Sequence, residues 1–131
     1  IPGNRINIDP SRKRVGNKMR KEELSSILHE LNIPVNEGKV ADRNVGNYPL
    51  VVYWPYTEQD LNASDEGYEN IATYQISMFS KEPQHPKYKE LREKLREHGI
   101  RPVFNHEYVE NDPVFSKTWH TYFAIEVAED I

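Results

Sequence analysis

Apolar residues recur along the chain in two different periods, and the changes of period mark out its elements. In Lys21–Leu31 (KEELSSILHEL), Leu24, Ile27, Leu28 and Leu31 fall at i, i+3, i+4 and i+7, one face of a helix. Glu22 and Glu23 stand in its first turn, where the helix dipole favours carboxylates. Asn32 and then Pro34 end it. Pro86–His98 (PKYKELREKLREH) repeats the helical period with Tyr88, Leu91 and Leu95. Pro86 suits the first helical position, where its missing N–H is not needed. Gly99 suits the residue just beyond the helix end, which often turns left-handed. On the wet side Glu90 and Lys94 stand in the favourable order for an ion pair, and Glu93 lies near Arg96.

Alternation takes over elsewhere. In Asn70–Ser80 (NIATYQISMFS), Ala72, Tyr74, Ile76 and Met78 share one face, while Thr73, Gln75 and Ser77 share the other. Thr118–Val127 (TWHTYFAIEV) alternates as well, with Trp119, Thr121, Phe123, Ile125 and Val127 on one face. Leu50–Tyr53 (LVVY) is β-branched and aromatic, and Pro49 and Pro55 bracket it, which predicts a short strand near an edge. Ile100–Val109 predicts another strand, and Asn111-Asp112-Pro113 is turn chemistry. Thr57–Glu69 (TEQDLNASDEGYE) is acidic, contains Gly67 and keeps no period, so an exposed, mobile loop is expected.

The resulting order is helix, strand, strand, helix, strand, strand. Such stripes bury most simply in an α+β fold: a mainly antiparallel sheet of about four strands with two helices packed on one face. The 131 residues suit a single domain, here 19–131. Residues 1–18 show no apolar period and carry two Pro and two Gly, as an extended arm or leader would.

Charge sharpens that division. Residues 1–21 hold seven basic side chains and one acidic one, leaving ten basic against twenty acidic in the remainder. A basic arm on an acidic body fits contacts between copies or with an anionic partner. Cysteine is absent, which excludes disulfides and thiolate metal sites. No apolar run approaches the roughly 18 residues of a membrane helix, and no secretory-leader pattern opens the sequence. A soluble, cytoplasmic protein without membrane contact is the expectation.

Catalytic motifs are missing. The five histidines (His29, His85, His98, His106 and His120) form no HxH, HxxxH or HExxH spacing. No GxSxG elbow, GxGxxG or phosphate-cradling P-loop occurs. Two other chemistries stay open. His106 and His120, on neighbouring strands close to Glu107, could build a non-local metal site for a small enzyme. The basic arm could serve a nucleic-acid-associated regulator, although Glu90, Glu93 and Glu97 interrupt the basic residues of the second helix. Trp54, Tyr56 and Tyr68 flank the acidic loop and are candidate contact anchors.

The block YQISMFSKEPQHPKYKELREKLREHGIRPVFNHEYVENDPVFSKTWHTYFAIEV has a distinctive cadence. A strand of Q-I-x-M-F type leads to a helix with spaced Leu and a Gly cap. A polar strand, a D-P turn and a strand mixing His with aromatics follow. With LHELNIPVNEG before it, this resembles the tail-terminator, or tail-completion, proteins of long-tailed bacteriophages, over residues 19–131. The resemblance implies an α+β fold and a structural protein of the virion that carries no catalytic residue, metal or cofactor. It implies a ring, usually a hexamer, assembled in the host cytoplasm at the head–tail junction. Such a ring stops polymerisation of the tail-tube protein and docks the head-connector protein. On that footing the expected contact residues are Trp54, Tyr56, Asp60, Asp65, Glu66 and Tyr68, with Arg92 and Arg96 on the second helix.

Overall fold

A computed structural model describes residues 18–62 and 68–130. Among the described residues six strands and two α-helices follow one another as β1 (Met19–Arg20), α1 (Lys21–His29), β2 (Val35–Glu37), β3 (Leu50–Asn62), β4 (Tyr68–Ser80), α2 (Pro86–Glu97), β5 (Asn105–Val109) and β6 (Thr118–Asp130). The α+β class is as expected, but the sheet is larger and mixed. Its order is β1-β6-β4-β3-β2, with β5 also pairing β6. The pairs β3–β4, β4–β6 and β5–β6 are antiparallel, while β1–β6 and β2–β3 are parallel.

The largest departure from the sequence reading is the hairpin. Thr57–Glu69 is not a loop throughout: β3 and β4 are 13 residues each and stay paired, past one bulge, out to Asn62 opposite Tyr68. Nor is β3 a short strand at an edge. It lies between β4 and β2, and Pro55 sits inside it beside a bulge at Pro55/Thr57. The Val51 N–H donates outward to Pro34, and the Tyr53 carbonyl accepts outward from Gly38. Alternation therefore turns the Pro55 nitrogen to the same outer side, just where β2 has ended. Its missing donor costs no ladder bond.

Both helices lie on one face of the sheet, as expected. Leu24, Ile27 and Leu28 of α1 and Tyr88, Leu91 and Leu95 of α2 join Ala72, Tyr74, Ile76, Met78, Phe123, Ile125 and Val127 in one core. Each fully buried Leu or Ile contributes about 1.5–3 kcal/mol of transfer free energy. At the start of α1, Glu23 turns back and accepts from the Arg20 backbone N–H at 3.0 Å. The His85 Nδ1 accepts from the Lys87 N–H at 2.9 Å, capping α2 ahead of Pro86. Gly99 closes that helix at φ +78°. The wet-side pairing differs from expectation: Glu90 pairs with Lys87, and Lys94 reaches across at 3.1 Å to Glu30, the residue that caps the end of α1, tying the two helices together. Arg96 pairs with Glu93 at 3.3 Å. Among the described residues no helix is long and apolar enough to cross a membrane.

Candidate functional site

Among the described residues no helix lies over the second face of the sheet. Two loops cover one end of it instead. Leu50, Val52 and Phe79 point out of that face and pack with Val40, Tyr48, Trp54 and Phe115. A cleft of about 390 Å³ opens between the loops. Its floor is Val52, Trp54 and Phe79, and its walls carry Val40, Val45, Val114 and Phe115, with Lys39 and Asp42 also lining it.

Each wall is braced by a short polar side chain. The buried Asn36 donates from Nδ2 to the Val51 carbonyl at 3.1 Å. Its Oδ1 accepts from the Ala41 N–H (3.1 Å) and from Asn44 Nδ2 (2.9 Å). Those bonds hold the 39–45 loop, whose only regular turn is the 3-10 segment Asp42–Asn44. In the opposite wall Asp112 Oδ1 accepts from the N–H groups of Val114 (2.8 Å) and Phe115 (2.9 Å). These donors hold the Asp112 carboxyl below its ordinary pKa. The Tyr48 hydroxyl joins the walls by donating to the Val114 carbonyl at 3.2 Å. A cleft whose walls are already hydrogen-bonded needs little ordering to accept a partner.

An aromatic ladder runs from the cleft along the sheet. Phe115 stacks on Phe79 with centroids 3.7 Å apart, Phe79 on His120 at 4.4 Å, and His120 on Tyr122 at 4.5 Å. The register explains it: Phe79 lies opposite His120 across β4 and β6, and Tyr122 is the next residue on that face.

His120 also links two polar groups. Its Nε2 is 2.8 Å from Ser77 Oγ, and its Nδ1 is 2.9 Å from Glu107 Oε2. Gln75 Nε2 donates to Ser77 Oγ at 3.2 Å. The Glu107 carboxylate can only accept, so in the neutral ring the imidazole hydrogen sits on Nδ1, facing it, and Nε2 accepts from the Ser77 hydroxyl. Burial pulls the His120 pKa below its ordinary value, with Glu107 opposing the shift.

Hydroxyl, imidazole and carboxylate in a row have the composition of a hydrolase triad, but access is inverted. Ser77 is 0% exposed, while the Glu107 side chain is 54% exposed. A nucleophile must meet its substrate, and here the hydroxyl lies beneath the other two groups. The relay fixes the orientation of His120 within the ladder.

The sequence-derived residues fall as follows. Trp54 lines the cleft. Tyr56, at the β3 bulge, is exposed. Asp60 and Tyr68 are ladder positions, opposite Asn70 and Asn62, rather than loop residues. Asp65 and Glu66 lie outside the described residues, as does the arm up to residue 17. Arg92 lies over the Phe104 ring at 5.7 Å, and Arg96 is engaged by Glu93. His106 and His120 do not converge. His106 pairs with Thr121 and meets Tyr88 on the helix side, whereas His120 faces the other way beside Glu107. Among the described residues no group of three metal-binding side chains comes together.

Phe79, Val45, Val114 and Phe115 were not among the residues singled out from sequence. The signal for the last two was an apolar pair directly after the Asp-Pro turn, where polar residues are usual. Compared with known family models and with curated proteins, the chain matches none.

Proposed function

We propose that this chain is a structural assembly protein of the tail-terminator kind, acting as a ring of identical copies rather than as a catalyst. The observation that carries the reading is a sheet open on both sides. Among the described residues β2, with the outer reach of β3 beyond it, bounds one side; β5 and β1 bound the other. Unpaired edges are templates for another chain. Edges on opposite sides of one sheet suit head-to-tail contacts, which close into a ring when the rotation between copies divides a full turn. The cadence of residues 74–127 and the exposed apolar rim of the cleft support the same reading.

In this reading a hexameric ring caps the head-proximal end of the tail tube, ends its polymerisation and offers a face to the head connector. Trp54, Tyr56 and the β3–β4 hairpin are the better contact candidates. Arg92 and Arg96 already serve their own helix and its neighbour.

Native mass spectrometry and sedimentation of the full chain, alone and with purified tail-tube protein, test it. A ring of about six copies under either condition is expected. A strict monomer under both conditions, with no binding to tube protein, overturns it.

A further inference from the structure

The exposed apolar side chains of the described residues include a hollow and a projection that fit each other. Val45 and Val114, on the rim of the cleft, are 49% and 42% exposed. Val103, at 78%, stands out furthest of the large apolar side chains, and it lies away from the cleft, between α2 and β5.

Burial alternates along residues 100–104 as it does in a strand. Ile100 and Phe104 pack against the core, and Phe104 meets Tyr88 edge-on at 5.2 Å and Phe123 at 4.8 Å. Pro102 between them is half-buried, and its ring fixes its φ. Arg101 and Val103 are exposed and share the outer side, about 7 Å apart. A segment anchored at both ends, with a proline in the middle, presents Val103 as a fixed knob that needs little ordering to bind.

The cleft is the matching hollow. At about 390 Å³ it has room for Val103 and for the aliphatic stem of Arg101 beside it. Asp42 stands in the lining, and among the described residues no ion pair engages either Asp42 or Arg101. Lys39 lines the cleft too, so a pair between them adds little, and the apolar contact carries the binding.

Anchoring selects the copy. Ile100 and Phe104 hold the knob against the core that the helices cover, and Val103 does not line its own cleft. Two clefts set face to face would enclose a void, and two knobs would cover little of each other. Knob into cleft buries both, and because the two surfaces differ the contact runs head to tail.

We propose that Val103 of one copy enters the cleft of the next and packs on Trp54, Phe79 and Phe115, with the Arg101 stem along the rim and its guanidinium at Asp42. This rests on the assembly reading above and gives it a specific contact between copies.

The chain has no cysteine, so disulfide trapping reads the contact directly. Full-length Val103→Cys is mixed with Val45→Cys and, separately, with Val114→Cys, and each mixture is oxidised. Lys89→Cys, exposed on α2, replaces Val103→Cys as the control. A heterodimeric disulfide well above the control in at least one mixture is expected. A chain carrying both Val45→Cys and Val103→Cys should give a ladder of covalent multimers. Val103→Ala removes two methyl groups that are exposed in the single copy, so its thermal unfolding should match the natural chain while its association weakens roughly tenfold. Trapping no better than the control overturns the proposal, as does closure within one chain, a reciprocal dimer in place of the ladder, or unchanged association of Val103→Ala. If native mass spectra still show a ring in any of those cases, the assembly reading survives on the sheet edges. If the natural chain associates under no condition, with or without tube protein, both fail.

Discussion

Ser77 Oγ and His120 Nε2 stand 2.8 Å apart on neighbouring strands, and the hydroxyl is sealed from solvent while the imidazole is stacked between two rings. The contact is an anchor. It fixes the plane of His120, and through Phe79 that plane continues to Phe115, a wall of the cleft. A buried polar pair in this position sets geometry for the apolar residues around it.

Removing the two partners of His120 therefore has unequal effects. Ser77→Ala leaves a ring nitrogen without its buried donor and is expected to cost about 1–3 kcal/mol. Glu107→Gln changes a largely exposed contact and is expected to cost less than about 1 kcal/mol. Urea unfolding of the two variants at neutral pH measures both. Equal losses would mean that the buried hydroxyl is not the anchor.

The same histidine makes stability depend on pH. Its folded pKa is depressed, chiefly by burial. Above the ordinary histidine value of about 6.5 it is neutral in both states and contributes no slope. As pH falls through that value, the unfolded chain takes up a proton that the folded chain resists, and stability drops until the folded pKa is reached. The gap in unfolding free energy between the natural chain and His120→Gln should be larger at pH 7.5 than at pH 5.5. A gap that does not change would assign the slope to other groups.

The cleft wall depends on Asn36 in a comparable way. Its amide makes one bond to β3 and two to the 39–45 loop. Asn36→Ala orphans the Ala41 N–H and frees the loop, with an expected loss of about 1–3 kcal/mol. Hydrogen exchange is the sharper measurement. Amides of residues 39–45 should lose protection while those of β4 and β6 keep theirs. Uniform loss across the sheet would show that the loop and sheet open together.

Much of this fold was legible because side-chain period and burial coincide. In α2, in most of β6 and in the outer half of β4 the alternate or helical residues are the ones buried, so Tyr74, Leu91 and Phe123 announce their faces. The outer hairpin was not legible. Thr57, Glu58 and Gln59 are exposed and polar, and their strand is held by backbone pairing to β4, which leaves no apolar stripe. Met19–Arg20 and Val35–Glu37 are too short to show a period and exist through parallel pairing with distant strands. The cleft was half legible. Trp54 stood out as a candidate contact anchor, but Phe115 becomes part of a site only when the loop after Asp112 folds across to Phe79.

Two substitutions separate folding from assembly. Leu28 is fully buried beneath the sheet, whereas Val45 is half exposed at the cleft rim. Leu28→Ala opens a cavity and should cost about 2–5 kcal/mol. If assembly uses the cleft, that variant still forms a ring wherever enough chain stays folded. Val45→Asp removes no buried contact of comparable size, so its stability should remain within about 0.5 kcal/mol. It does place a carboxylate against an apolar surface that would otherwise be covered, and an unpaired charge buried in a contact strongly opposes association. Its ring should therefore be weakened or absent at concentrations where the natural chain assembles. Thermal unfolding beside native mass spectrometry reads both axes on the same samples. Intact rings from Val45→Asp would remove the cleft from the interface and leave the open sheet edges as the remaining contact surface.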